Sequence, residues 1–370
     1  GWEDSAPPPH RFNKTPRASR SPSPLQHHNR VWAMRGSSSR PLWCERSRRT
    51  VPLQEQLARC ARLRLEDVPR LQRAWDVAPL QSTRRPEVPQ RICGGVNAGW
   101  LERRRGRLTA SHFAAALGFH GKASAHRLTR KLGAGASVDV QQSDPGSDWG
   151  QRHEASGLAT YLSSYLSAAC PSAEAHETGF WAFEVSHPSG ARASVGATPD
   201  AIVRGAEQVW PGGLVVEVKC PFRGGQPAPH VKVLPRMMPQ LQGQLLATGA
   251  ATLHLVSWSP YGSTVFRVTA DLDYQREMGE ALALVARQAT GDGEELGRLS
   301  RAVRERSVVL AKRSERVALI PPSECVSVYD GPCAVATCAR RASSLTWRRR
   351  PSSGVRPSSS SACPLRRPRC

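Results

Sequence analysis

The chain has 370 residues and a formal net charge of +22, with 52 Lys and Arg against 30 Asp and Glu. Most of this charge lies at the ends, since residues 1–99 carry +10 and residues 331–370 carry +9, which leaves +3 for residues 100–330. The basic ends bind any polyanion weakly, so the net charge says little about the folded part. No apolar run approaches the ~18 residues of a membrane span, and we expect no membrane partner.

The ten cysteines form no Cys-x-x-Cys pair and no cluster with His at zinc-ligand spacing, which disfavours a zinc site. No secretory signal is visible, so we expect an intracellular protein with free thiols. If the source is eukaryotic, the Arg-rich segments favour the nucleus. The chain begins with Gly rather than Met, and we expect it to be a fragment or to start at a gene-model boundary.

The uneven composition predicts one folded domain between two basic segments. Residues 1–96 are rich in Pro, Ser and Arg, and residues 331–370 in Arg and Ser. Such segments bury too little apolar surface to offset their ordering entropy, so both are predicted to be mostly disordered. A helical pattern over 52–80 predicts a short helix inside the first segment. Residues 97–295 are predicted to form the domain, and residues 296–330 a C-terminal helix and linker.

Within this domain the apolar residues alternate between helical and strand spacing. The spacing predicts helices at 109–118, 124–132, 149–168, 234–249 and 271–289. It predicts strands at 178–187, 191–198, 213–220, 252–259 and 262–269. Helices come first, then a strand meander, then a helix that crosses to a strand pair. This order predicts a mixed β-sheet with helices packed on it, an α/β or α+β layered domain.

The first predicted helix follows a basic run, Arg103–Arg107. Thr109 or Ser111 can cap this helix and leave free backbone N–H groups near the arginines. A helix start flanked by Arg is suited to phosphate. The alternative is an ordinary capped helix behind a solvated basic run, and the local sequence favours it.

Two later helices carry polar residues whose role the local sequence leaves open. Glu154 lies one turn before Leu158, near the buried stripe of its helix, as a cap or dipole partner or as a third acid facing a metal. Gln240 and Gln244 are one turn apart and share a face. Their amides either contact a metal-bound water or a phosphate oxygen, or are ordinary exposed side chains.

The acidic turn Thr198–Asp200 is followed seventeen positions later by Glu217-Val218-Lys219. Because side chains alternate in a strand, Glu217 and Lys219 project to the same side. Two carboxylates can hold Mg²⁺, and an ammonium beside them can position an attacking water, which are the parts needed to cleave a phosphodiester. The alternative is a β-hairpin with a surface ion pair.

Six motifs occur in a recognisable order along the chain. They are Trp100 with Arg104, Leu108–Ser111, Trp149-Gly150 with Glu154, Thr198–Asp200, Val216–Pro221 and Met238–Gln242. This order resembles the YqaJ-like viral recombinase family, which includes the bacteriophage lambda exonuclease and belongs to the PD-(D/E)XK nuclease superfamily. The resemblance covers about residues 97–290, and neither basic end has a counterpart in it.

The resemblance implies a restriction-endonuclease-like core and a role for seven side chains. Asp200 and Glu217 match the metal-binding acids and Glu154 an additional acid at the metal. Lys219 matches the catalytic lysine, and Gln240 the glutamine on the helix after the core strands. Arg104 and Ser111 match the pair that binds a terminal 5′-phosphate.

The implied activity is that of a Mg²⁺-dependent deoxyribonuclease, with Mn²⁺ as a substitute, acting as a 5′-to-3′ exonuclease on duplex DNA ends in viral or mobile-element recombination. Linear duplex ends, a single-strand annealing protein and further copies of the chain in a ring are the implied partners. Two alternatives to this exonuclease stay open. In the first, the domain is an inactive, domesticated relic that binds nucleic acid through its basic ends. In the second, it is an endonuclease or repair nuclease with the same core.

Overall fold

The computed structural model describes residues 42–72, 91–92, 95–96, 98–133, 145–287 and 293–329. All described residues belong to one compact unit. The predicted disorder of residues 331–370 and of most of residues 1–96 lies outside the described residues. No helix among the described residues is long and apolar enough to cross a membrane.

The helices of the described residues are α1 (Leu42–Thr50), α2 (Leu53–Arg59), α3 (Ala98–Arg104), α4 (Ala110–Ala116), α5 (Lys122–Gly133), α6 (Pro145–Tyr161), α7 (Met238–Thr248), α8 (Leu272–Arg287) and α9 (Gly293–Arg313). A π-helical turn, Leu162–Leu166, and a three-residue α-helical segment, Ser167–Ala169, continue α6. The left-handed Gly249, at φ 71°, ends α7, because glycine adopts that conformation without a steric penalty.

The strands are β1 (Ala61–Arg64), β2 (Leu71–Gln72), β3 (Arg91–Ile92), β4 (Gly95–Val96), β5 (Leu108–Thr109), β6 (Glu174–His176), β7 (Trp181–Ser186), β8 (Arg192–Ala197), β9 (Ala201–Arg204), β10 (Leu214–Lys219), β11 (Phe222–Arg223), β12 (Gln226–Pro227), β13 (Thr252–Ser257), β14 (Ser263–Thr269), β15 (Glu315–Ile320) and β16 (Val326–Tyr329).

A seven-stranded mixed sheet in the order β15-β14-β13-β10-β9-β6-β2 forms the centre of the molecule. Strands β10 and β13 run parallel, with Glu217 opposite Leu255, whereas β9, β14 and β15 join by antiparallel pairing. A smaller sheet has the order β5-β8-β7. The predicted layered α/β architecture, a mixed sheet flanked by helices, is therefore confirmed.

Two apolar cores lie on the two faces of strand β10. Val215 of β10 packs in one core with Leu241 of α7 and Met278 of α8. Val216 of β10 packs in the other core with Leu158 of α6. Because successive strand residues face opposite sides, β10 is covered on both faces and its polar residues are held in a fixed position.

The helical pattern over 52–80 covers one short helix and two strands. Helix α2 ends at Arg59, and β1 and β2 follow it. Strand β1 pairs with β16, more than 260 residues away, through partners such as Ala61 and Val326. A local window cannot detect such a pairing. The predicted C-terminal helix corresponds to α9, but β15 and β16 follow it instead of a linker.

Gly157 allows α6 to approach β10 closely. A Cβ atom at this position would lie 2.4 Å from Cγ1 of Val218 and 3.1 Å from Cβ of Trp258. We therefore expect Gly157→Ala to lower the free energy of unfolding by about 1–3 kcal/mol, as overpacking does. Gly150→Ala on the same helix is the control, because nothing lies within 4 Å of that added atom. Chemical denaturation would measure both, and equal stabilities would contradict the close approach.

Candidate active site

All seven side chains singled out in the sequence line one cleft of about 800 Å³. They are Arg104, Ser111, Glu154, Asp200, Glu217, Lys219 and Gln240. They come from α3, α4, α6, the turn before β9, β10 and α7. Residues up to 136 positions apart in the chain thus converge on one site, which no individual motif requires.

Asp200 is fixed by the strand that carries Glu217. Its backbone N–H donates to the carbonyl of Val216 at 3.0 Å, and its Oδ2 accepts from the N–H of Val218 at 2.6 Å. Burial raises the pKa of Asp200 well above its usual range, and the charges of Glu154 and Glu217 raise it further. Lys219 and the Val218 N–H lower that pKa without cancelling the rise. The charges of two nearby carboxylates thus act on Asp200 against that of one lysine.

Glu217 is held by three donors and is only 3% exposed. Its Oε1 accepts from Nζ of Lys219 at 2.5 Å and from Nε2 of Gln240 at 2.6 Å. Its Oε2 accepts from Nε2 of Gln244 at 2.5 Å. The alternative of a surface ion pair on a hairpin is wrong, because the carboxylate is buried and β10 lies inside the sheet.

Lys219 keeps its charge at neutral pH. Burial alone would lower the pKa of this ammonium, but Glu217, Asp200 and Glu154 outweigh burial and raise the pKa. One third of the side chain remains exposed to the cleft. A permanently charged ammonium cannot accept a proton, so Lys219 can only donate hydrogen bonds and stabilise negative charge.

Gln244 is the site residue that the sequence analysis noted without assigning it a role. It is 1% exposed, and its Nε2 contacts both Glu217 and the carbonyl of Thr198, the latter at 3.4 Å. Its Oε1 is buried without a hydrogen-bond partner among the described residues. The one-turn spacing from Gln240 was the available signal, and only the position of Glu217 gives it meaning.

Glu154 and Cys220 lie at the same cleft. Glu154 is partly buried on α6 and its charge acts on Asp200. Burial raises the pKa of the Cys220 thiol well above its usual range, and the charges of Glu154 and Asp200 raise it further. The thiol is therefore protonated, and Cys220 has the environment of an inert packing residue.

Arg104 is a buried cation, 9% exposed, that lines the same cleft. Its guanidinium lies over the ring of Trp100, 4.1 Å from the ring centre, which is a favourable cation–π position. Its two terminal nitrogens each lie 3.5 Å from a hydroxyl, one of Thr198 and one of Thr109. These contacts hold the guanidinium in a defined orientation towards the cleft.

Ser111 lies beside Arg104 through a small hydroxyl network. Its Oγ is 3.1 Å from Oγ1 of Thr109 and 3.3 Å from Nδ1 of His112. Thr109 occupies the cap position of α4 but makes no side-chain cap bond. Thr109 is therefore the N-cap residue, as one of the two predicted candidates, but its hydroxyl contacts Ser111, His112 and Arg104 instead of capping the helix.

The donor set fits a hard divalent cation through two carboxylates. Among the described residues, no group of three or more His, Cys, Asp or Glu is arranged to hold a metal ion. Mg²⁺, however, commonly binds through one or two carboxylates together with waters and substrate phosphates. Asp200 and Glu217 supply such oxygens at the cleft.

Comparison with known proteins gives one family. Residues 99–251 match the model of the YqaJ-like viral recombinase domain. The crystal structure of an alkaline exonuclease (LHK-Exo) from Laribacter hongkongensis is 21% identical, with a TM-score of 0.36, over 58% of this chain and 100% of that chain. The crystal structure of SSO0001 is 16% identical, with a TM-score of 0.31, over 55% and 92%. No curated protein matches the chain. The resemblance predicted from the six motifs is thus confirmed over residues 99–251, the span that matches the YqaJ-like viral recombinase domain.

Proposed function

We propose that this chain is a Mg²⁺-dependent deoxyribonuclease that degrades duplex DNA from its ends in the 5′-to-3′ direction. One observation carries the proposal. Asp200, Glu217 and Lys219 meet in one cleft, and the amides of the partly buried Gln240 and the buried Gln244 hold Glu217 in place. This arrangement lies within the span that matches the YqaJ-like domain. Two carboxylates and a charged amine are the groups needed for phosphodiester hydrolysis.

The mechanism assigns a separate task to each group. Mg²⁺ bound to Asp200 and Glu217, with Glu154 nearby, would lower the pKa of a bound water and screen the charge on the phosphate. Lys219 donates a hydrogen bond to the attacking water and stabilises the charge that develops on the phosphoryl oxygens. The amides of Gln240 and Gln244 keep Glu217 from moving. Cleavage leaves a 5′-phosphate and a 3′-hydroxyl.

Removing the metal should abolish digestion but not binding. We expect the full chain to degrade linear duplex DNA in Mg²⁺ or Mn²⁺, to leave closed-circular DNA intact, and to digest neither form in EDTA. The basic ends bind DNA without a metal, so a mobility shift should persist in EDTA. Gel electrophoresis of end-labelled linear and closed-circular substrates would measure this. Cleavage of the circle would indicate an endonuclease, and a shift without cleavage in Mg²⁺ would indicate a binding relic.

The proposed direction depends on Arg104 and Ser111 as a 5′-phosphate site. Arg104→Ala should lower the digestion rate of 5′-phosphorylated ends about 10-fold or more, and that of 5′-hydroxyl ends much less, since a charge-assisted contact contributes about 1.5–3 kcal/mol. Arg105→Ala is the control, because this neighbour is exposed and paired with Glu102 at 3.3 Å. Equal losses on both kinds of end would make Arg104 a general backbone contact.

The biological setting follows from the proposed product. Resection from the 5′ end exposes a 3′ single strand, which a single-strand annealing protein would take up during viral or mobile-element recombination. A ring of several copies would keep the enzyme on its substrate. We propose residues 97–295 as the nuclease domain and the nucleus as the compartment if the source is eukaryotic.

A further inference from the structure

A second cavity of about 370 Å³ opens beside the cleft. The two share the lining residues Pro221, Arg223 and His230, so they are continuous. Arg48, Arg223 and Lys232 line this second cavity, and no Asp or Glu among the described residues does so. We call it the basic groove. Its size and charge suit one or two nucleotides of a single strand, because pockets of roughly 300–1,000 Å³ hold molecules of that size.

The cations of the basic groove have no carboxylate partner in the part of the chain that the structure describes. Arg48, Arg223 and Lys232 make no ion pair with any carboxylate of the described residues. The Nε of Arg48 is buried without a hydrogen-bond partner among those residues. Burial lowers the pKa of His230 to about 4, and Arg223, Arg236 and Lys219 lower it as well, so His230 is neutral and adds no charge. Uncompensated cations around a concave surface attract an anion.

Arg48 enters the basic groove from outside the matched domain. It lies on α1, whereas the family match begins at residue 99. The segment carrying it is anchored to the loop after β13, since Nε2 of Gln56 donates to the carbonyl of Pro260 at 2.9 Å. The hydroxyl of Tyr261 donates to the carbonyl of Val51 at 3.1 Å. Arg48 is therefore held at the groove by a defined scaffold.

Arg223 and His230 form another part of the groove lining. Arg223 lies on the β11–β12 hairpin, whose turn is Gly224 and Gly225, with φ of 57° and 79°, a conformation that glycine adopts without strain. The N–H of His230 donates to Oγ of Ser257 at 2.9 Å, and its carbonyl accepts from Oγ1 of Thr264 at 2.7 Å. Both parts of the lining thus depend on hydrogen bonds to the central sheet and its loops.

We propose that the basic groove binds the phosphate backbone of single-stranded nucleic acid next to the bond being cleaved, with Arg48, Arg223 and Lys232 as the phosphate contacts. The position of the bound strand next to a cleaved bond rests on the proposed nuclease function. The binding of phosphates by the groove cations does not. A volume of about 370 Å³ is small for the two paired backbones of a duplex and suits a single strand. The N-terminal segment thereby acts as part of the substrate site and not as an appendage.

The test compares two double variants of the full chain that lose the same charge. Arg48→Gln with Lys232→Gln removes two groove cations. Arg46→Gln with Lys122→Gln removes two exposed cations that line neither cavity. Fluorescence anisotropy with labelled oligothymidylate in EDTA, over a series of salt concentrations, would give affinity and salt slope. The groove variant should bind at least about threefold more weakly than the control, with a salt slope smaller by about 1.4, or about 0.7 for each lost phosphate contact.

Equal affinities and slopes for the two double variants would overturn the proposal. An equal loss on a duplex whose ends are closed by hairpins would overturn the single-strand assignment. Digestion assays on the same preparations in Mg²⁺ separate this proposal from the nuclease proposal. If wild type digests DNA but the groove variant binds like the control, only the groove fails. If wild type digests nothing but the groove variant binds more weakly, only the nuclease fails.

Discussion

In metal-free buffer, Asp200→Asn is expected to raise the melting temperature of this protein while it lowers DNA digestion at least about 10²-fold. The pKa of Asp200 is raised by burial and by the neighbouring carboxylates. A folded-state pKa above the unfolded value means that the folded state binds more protons between the two. Stability therefore falls as pH rises through that window.

The neutral amide removes this penalty and keeps the main contact. The side-chain oxygen of the introduced asparagine can still accept from the N–H of Val218, which in wild type lies 2.6 Å from Oδ2 of Asp200. Each kcal/mol regained corresponds to about 2–4 °C for a folded unit of this size. Differential scanning fluorimetry between neutral and mildly acidic pH would measure the effect. Wild type should gain stability on acidification relative to the variant, since only wild type can protonate Asp200 there.

Metal binding can be read from the same measurement without an activity assay. A ligand that binds only the folded state stabilises it, by about 2.7 kcal/mol at a concentration 100 times its Kd. Mg²⁺ or Mn²⁺ should therefore raise the melting temperature of wild type and not that of Asp200→Asn. Asp148→Asn is the control, because Asp148 is an exposed acid in the first turn of α6. Unchanged stability in Asp200→Asn, or equal metal effects in all three proteins, would contradict this account of the charge cluster.

The sequence predicted the acidic centre because its logic is local. Glu217 and Lys219 share a face through strand alternation alone, and Thr198–Asp200 forms a recognisable turn. The long helices and central strands were likewise predicted near their observed bounds, because each has a clear apolar period. Where the information is local, the prediction is confirmed by the fold.

The remaining features depend on partners that are distant in the chain. Strand β1 exists because β16 lies beside it, and the short β9 because β10 and β6 flank it. Gln244 looks like an exposed amide until Glu217 is placed next to it. Arg48 carries no motif, and only the contacts of Gln56 and Tyr261 bring α1 to the basic groove. Local sequence windows contain no information about such contacts.

Lys219→Met is expected to lower the melting temperature, whereas Asp200→Asn raises it. Both substitutions should lower DNA digestion. Methionine keeps an apolar stem of similar length but removes the only cation that contacts Glu217 among the described residues. The raised pKa of Lys219 contributes stability that is fully present at neutral pH and is lost only as pH rises through the folded pKa. Without it, Asp200 and Glu217 repel each other uncompensated, so the metal-free protein should melt at a lower temperature. Digestion should fall about 10²–10³-fold, as when one oriented donor is removed.

The two substitutions form a double-mutant cycle whose coupling has an expected sign. In the double variant, Asp200→Asn with Lys219→Met, one negative and one positive charge are lost together, so the melting temperature should exceed that of Lys219→Met. Because Lys219 attracts the Asp200 carboxylate, Asp200→Asn should stabilise the Lys219→Met protein more than it stabilises wild type. Lys122→Met, an exposed lysine on α5, controls for the loss of a cation elsewhere. If Lys219→Met melted like this control and the two effects simply added, Lys219 would not be the cation that holds the carboxylates together. Another group would then have to stabilise the two carboxylates in the metal-free protein. If the cycle has the expected sign, the same electrostatic imbalance accounts both for the instability of the metal-free site and for its attraction to a divalent cation.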